Sequence, residues 1–234
     1  IRDRDWKAPN DWYQRAIEEK NKWEEYVAKE SGPTNQELPS YAHAVGAVYR
    51  NSDPSDIVVT AAGGLVGEVV QIWKPKEINT FETEWGFSCM GYEISGALGI
   101  KMAKPDQDVV VFVGDGSYLL QNSDIYSSVL YDKKLIIVVC DNGGHMVINR
   151  LQLAKGGKEY LCNLNAAGAT NLQFVDFEAH AKSMGANAET VKSTSELEAA
   201  FKRAKASDKT YVISMKTDGY EWLEGTAFWD SPTL

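Results

Sequence analysis

The sequence has no surplus of positive charge: 24 Lys and Arg stand against 33 Asp and Glu, a formal net charge of −9. That balance argues against the basic patches that a nucleic acid or an anionic membrane surface needs. A bound anion would have to be held locally, by backbone N–H groups and a cation. No run reaches the roughly 18 apolar residues of a transmembrane helix, and no charged-then-apolar leader opens the chain. Cysteine is scarce. Cys89, Cys140 and Cys162 make an odd count without metal spacing such as C-x-x-C, so reduced thiols and a cytoplasmic setting are expected. Cys140 ends an apolar run and reads as a small buried hydrophobe. The first residue is Ile1 rather than methionine, and the expectation is a processed or cut piece of a longer polypeptide.

What the sequence does have is a globular composition, 44% hydrophobic and 24% charged, enough for a packed core. Trp12, Tyr13, Ala16, Ile17, Trp23, Tyr26 and Val27 approximate a helical stripe that Gly32-Pro33 ends, which predicts a helical extension over 1–39. A shorter helix starts near Ser40, with Ala44, Val45 and Val48 on one side. Apolar β-branched runs follow at 57–60, 109–113, 135–140 and 211–214, with weaker ones at 78–81 and 187–191. Helical stretches fall at 67–73, 89–103, 122–131, 177–184 and 194–206, the last opened by a capping box from Ser193 to Glu196. Uniformly apolar strands alternating with helices predict an α/β domain over 40–234, a parallel sheet covered on both faces. The stretch 143–175 has no clear period and reads as a long surface loop.

In such a sheet, ligands bind beyond the carboxyl ends of the strands. Two of those ends carry unusual chemistry: Gly114-Asp115-Gly116-Ser117 after the second strong strand, and Asp141-Asn142-Gly143-Gly144-His145 after the third. Glycines let a ligand approach the backbone closely, and a helix starting after Ser117 would turn free N–H groups toward an anion. Asp-Gly alone marks only a common turn. Asp115 and Asn142, however, lie 27 positions apart, filled by one helix and one strand, which brings both to one edge of the sheet. A third strand end, Thr60-Ala61-Ala62-Gly63-Gly64-Leu65, adds either a ligand contact or a tight turn.

This spacing resembles the motif of thiamine-diphosphate enzymes: Gly-Asp-Gly, a helix and a strand, then an Asn pair, here Asp141-Asn142. The resemblance implies thiamine diphosphate and Mg²⁺ as cofactors, with the metal on Asp115, Asn142 and the carbonyl of Gly144. An oxygen set with few carboxylates suits Mg²⁺. It implies further cofactor contacts from Gly63, Gly64, Leu65, Ser88, Gly114, Gly116, Ser117, His145 and Met146, and a prop under the bent cofactor at Met90. The stretches 84–103, 113–129, 148–153 and 212–230 look, more narrowly, like the trihydroxycyclohexane-1,2-dione hydrolases of inositol catabolism. Gly64-Leu65-Val66-Gly67 and the neighbourhood of His145-Met146 depart from that family.

The narrower resemblance implies hydrolytic opening of a cyclic 1,2-dione to a 5-deoxyglucuronate. His145 is a candidate to orient water or a substrate hydroxyl, or else a plain loop histidine. Glu84 is a candidate to reach substrate, or else a solvated carboxylate; His43 and His180 read as structural. The family also needs a glutamate against the aminopyrimidine, carried by a pyrimidine-binding domain of the same or a partner chain. Nothing in these 234 residues resembles that domain. A C-terminal portion of a larger homo-oligomeric enzyme, or one subunit of a split one, is therefore expected. Two other readings stay open: a carboligase or decarboxylase resembling acetohydroxyacid synthase, and an inactive cofactor-binding fragment.

Overall fold

The computed structural model describes residue 7, residues 9–165 and residues 174–225. Residues 166–173 of the long aperiodic stretch and 226–230 of the closing one lie outside the described residues. The elements run α1 (Asn10–Glu30), α2 (Tyr41–Arg50), β1 (Ile57–Thr60), α3 (Gly63–Ile72), β2 (Phe81–Thr83), α4 (Tyr92–Ala103), β3 (Val109–Gly114), α5 (Asp115–Leu120) and α6 (Asp124–Leu130). They continue with β4 (Ile136–Asp141), α7 (Met146–Ala154), α8 (Phe177–Ser183), β5 (Asn187–Val191), α9 (Thr194–Ala206) and β6 (Tyr211–Lys216). Among the described residues, no helix is long and apolar enough to cross a membrane.

The strands form one sheet in the order β2-β1-β3-β4-β6-β5, with every neighbouring pair parallel. Uniform apolarity follows from burial on both faces, because alternate side chains feed separate cores. Val58, Val110, Phe112, Val138 and Ile213 pack with α2, α3 and α9. Ile57, Val111, Ile137, Val139 and Val212 pack on the opposite side with α4, α6 and α8.

Several boundaries differ from the sequence reading. The weak strand at 78–81 moves to Phe81–Thr83, because Asn79 takes a left-handed conformation (φ 62°) and Ile78 is left 91% exposed. The glycines at 63–64 are the first turn of α3 rather than a loop before it. The helix expected after Ser117 starts at Asp115 instead, with Gly114 as its cap. The stretch 143–175 is not loop throughout: α7 forms within it, its buried Met146 closing on Gly219 and its Arg150 stacked 5.2 Å from the Trp222 ring. Tertiary packing therefore supplies a helix that local periodicity does not. The Ser193 hydroxyl caps α9 by accepting from the Glu196 N–H, while the Glu196 carboxylate accepts from Lys192. On α1, Val27 is buried whereas Trp12 and Tyr13 of the same stripe are exposed.

The order of strands positions the site. From β1 the chain steps outward to β2, then returns to the other side of β1 and builds β3 and β4 in the opposite direction. Loops leaving β1 and β3 thus diverge, and a crevice opens at their carboxyl ends.

Candidate functional site

A cavity of about 370 Å³ occupies that crevice. All the residues expected to touch a cofactor line it: Gly63, Gly64 and Leu65 beyond β1, Gly114, Asp115, Gly116 and Ser117 beyond β3, and Asn142, Gly144, His145 and Met146 beyond β4. Ser88 and Met90 join them from the loop after β2. Sequence reasoning missed Tyr41, Ala62, Phe87, Val147, Ile148 and Leu151, which complete the wall. Glu84 is not on it. Its carboxylate accepts from the N–H groups of Phe87 and Cys89, at 3.1 and 2.8 Å, and so pins the loop that presents Ser88. His43 helps cap α2 through Ser40, and His180 bonds the buried Tyr118 hydroxyl.

Helices α3, α5 and α7 begin at this cavity, at Ala62, Gly114 and His145, and none has a side-chain cap. Ser40, Asp176 and Ser193 cap α2, α8 and α9 with their own oxygens, while α1, α4 and α6 also lack a side-chain cap. First-turn N–H groups without an intrahelical partner favour an anion. Close approach is built in at Gly64, where any Cβ would overlap the Trp222 ring. At Gly116 a Cβ would come 2.9 Å from the His145 ring and 3.3 Å from the Met90 methyl, so these three positions are neighbours.

Beside the helix starts, oxygen atoms converge. In one orientation of its amide, Asn142 Oδ1 lies 3.2 Å from Asp115 Oδ1 and 2.8 Å from the Gly144 carbonyl oxygen. That orientation sets acceptor against acceptor. The amide nitrogen then lies 2.6 Å from the Tyr41 hydroxyl. Reversing the amide makes it a donor to Asp115 and Gly144, with Oδ1 accepting from Tyr41. Asp115 is buried, and its carboxyl is pushed up to about 7, first by burial and then by the charge of Asp141, against N–H donation from Gly116 and Gly144. Asp141 itself is paired: Lys216 Nζ lies 2.9 Å from one carboxylate oxygen and the Gly143 N–H donates to the other.

The Asn142–Gly144 loop owes its shape to a second segment. His145 N–H donates to the Cys162 carbonyl at 2.8 Å, Leu164 N–H donates to Gly143, and Gly144 bridges Asn163 antiparallel. Glu93 performs a similar task on the other wall. Fully buried, it accepts from the N–H groups of Ala62 and Gly91 at 3.2 and 2.8 Å and also bonds Ser117. It thereby ties the ends of β1 and β3 to the start of α4.

Behind the cavity, Glu68 of α3 is completely buried. One oxygen accepts from the Leu223 N–H at 3.1 Å and the other has no partner. Burial pushes its carboxyl up to about 7. The folded state holds that proton more tightly than the unfolded chain. Its stabilising contribution is therefore complete below the usual glutamate value and is lost as pH rises through about 7, on the order of 3 kcal/mol. The melting temperature is expected to fall from about pH 5 to about pH 8, and Glu68→Gln to flatten that fall. Parallel curves for parent and variant in a pH series of thermal melts would refute this.

A cavity at the switch point of a parallel sheet, walled by helix starts and by Asp115, Asn142 and the Gly144 carbonyl, defines a ligand-binding α/β domain. Residues 61–215 match the family model of the thiamine pyrophosphate enzyme C-terminal TPP binding domain. The chain belongs to that family. It is 38% identical over 199 residues to a 3D-(3,5/4)-trihydroxycyclohexane-1,2-dione hydrolase of Bacillus licheniformis, a match covering 82% of the chain and 31% of the relative. Hydrolases of the same name from Bacillus subtilis (35% identity; 89% and 34% covered) and Listeria innocua (36%; 92% and 34%) are also similar. The chain spans about a third of the length of these relatives. A thiamine diphosphate-dependent 4-hydroxybenzoylformate decarboxylase of Rhodococcus jostii shares the fold, with a TM-score of 0.66 over 79% of this chain and 34% of that one, at 19% identity.

Proposed function

We propose that this chain holds the diphosphate end of thiamine diphosphate through Mg²⁺, within an enzyme that hydrolyses a C–C bond of trihydroxycyclohexane-1,2-dione in inositol catabolism. The observation that carries the reading is the meeting of one end of the Asn142 amide with the Asp115 carboxylate and the Gly144 carbonyl beside the uncapped starts of α3 and α7. In an octahedral Mg²⁺ shell with bonds of about 2.1 Å, adjacent oxygens stand about 3 Å apart. That end of the amide lies 3.2 Å from Asp115 and 2.8 Å from the Gly144 carbonyl, so the same positions suit such an edge once the amide turns its oxygen to them. A cation would also supply the counter-charge that Asp115 lacks while Asp141 is paired with Lys216.

When bound, thiamine diphosphate supplies a nucleophilic carbon and an electron sink for C–C cleavage. This chain's own residues do the rest of the holding. The first-turn N–H groups of α3 would hold the diphosphate, and Gly64 lets the Trp222 ring pack directly against that turn. Met90, beside Gly116, would support the bent shape of the cofactor. His145, next to both, orients water or a substrate hydroxyl. Glu84 holds the Ser88 loop and acts on substrate only through that loop. The net reaction adds water across the bond between the two carbonyl carbons: one takes OH and becomes a carboxylate, the other takes H and becomes an aldehyde, giving a 5-deoxyglucuronate.

The group that faces the pyrimidine ring comes, in this reading, from the further two-thirds of length that the relatives have, in the same polypeptide or a partner in a cytoplasmic homo-oligomer. The test supplies the full-length protein with Mg²⁺, thiamine diphosphate and the cyclic dione. Loss of the dione with stoichiometric appearance of the open-chain acid is expected by NMR. Carbon dioxide release from 2-oxo acids, with the dione untouched, would instead assign a decarboxylase.

A further inference from the structure

Of the converging oxygen donors, Asn142 alone has a wrong end. A carboxylate or a backbone carbonyl offers oxygen to a cation however it turns, whereas an amide reversed about its last bond offers NH₂. What fixes this amide is a residue of another element. Tyr41 opens α2, 101 positions earlier in the chain, and is buried. Its ring stands edge-on to Trp222 at 5.6 Å and 88°, and its hydroxyl lies 2.6 Å from the far end of the Asn142 amide. A phenol hydroxyl both donates and accepts. It can donate to Oδ1 while NH₂ bridges Asp115 and Gly144, and it can accept from NH₂ while Oδ1 joins them.

We propose that Tyr41 is a positioning residue for the cation: its hydroxyl keeps the Asn142 amide in plane and, by turning from donor to acceptor, lets the amide reverse as the cation arrives. The inference rests on the reading above that this oxygen set takes Mg²⁺. Without the hydroxyl, the reversed amide would leave its NH₂ buried and unpaired, which opposes the cation-bound orientation.

A double-mutant cycle on the full chain tests this, by calorimetric Mg²⁺ titration at saturating thiamine diphosphate. Tyr41→Phe keeps the ring and its packing, and is expected to weaken Mg²⁺ binding about ten-fold, ~1.4 kcal/mol. Asn142→Asp replaces the two-ended amide with equivalent oxygens, so orientation no longer matters. In that background Tyr41→Phe is expected to change the affinity by less than about two-fold. The side-chain ¹⁵N resonance of Asn142 should also move on Mg²⁺ addition in the parent and broaden in Tyr41→Phe. Equal losses in both backgrounds would mean that Tyr41 acts only by packing, and would overturn the proposal while leaving the metal assignment intact. A parent chain that takes up no Mg²⁺ would overturn both.

Discussion

Asp115→Ala is expected to weaken Mg²⁺-dependent binding of thiamine diphosphate by at least about 100-fold, ~2.8 kcal/mol. The oxygen set contains one carboxylate, and without it an amide and a carbonyl must hold a dication with no charge of their own. The same change should not cost the empty protein its fold. Asp115 is buried and its carboxyl is pushed up to about 7, so at about pH 8 the folded state bears an ionised group it would rather keep neutral. Asp115→Asn, which retains an acceptor for the N–H groups of Gly116 and Gly144, should melt at or above the parent's temperature there. Binding and stability thus move in opposite directions. Calorimetric titration beside thermal unfolding, each at two pH values, checks both halves. Undiminished binding by the Ala variant would remove Asp115 from the metal site.

Gly144→Ala is expected to be nearly as damaging, by a different route. Gly144 has φ +141°, and an added Cβ would overlap the Cys162 carbonyl oxygen, which accepts from His145 N–H at 2.8 Å. The backbone conformation alone costs an L-residue about 1–3 kcal/mol, and the overlap forces apart the two segments that shape the Asn142 loop. Denaturant unfolding should register a loss of that size, and cofactor binding should vanish because the Gly144 carbonyl leaves the oxygen set. Gly99→Ala serves as the comparison. It sits on the exposed side of α4 with open space where the Cβ would go, and should stabilise by about 0.5–1 kcal/mol. If both substitutions behave alike, the strain argument fails.

Much of this molecule is legible in the chain itself. β-Branched runs such as Val109–Gly114 and Ile136–Asp141 mark the buried strands, because a strand covered on both faces must be apolar at every position. Glycines and oxygen-bearing side chains directly after those runs locate the ligand edge, since parallel strands deliver their carboxyl ends to one side. The residues expected at that edge, together with Ser88 and Met90 expected from the family resemblance, line one cavity. These features are local, and a local pattern can be read in a chain.

The tertiary structure decided the remainder. α7 carries too weak a pattern to form by itself, and it exists through Met146 against Gly219 and Arg150 against Trp222. Glu93 has no motif; it matters because folding brings Ala62, Gly91 and Ser117 around one buried carboxylate. Glu84 stands out in the sequence, but only the turn that follows it brings its carboxylate to the N–H groups of Phe87 and Cys89. Tyr41 meets Asn142 because α2 and the end of β4 pack together. Such contacts join segments far apart in sequence. Their cost in chain entropy is met only by the assembled core, so no stretch of sequence carries their signature.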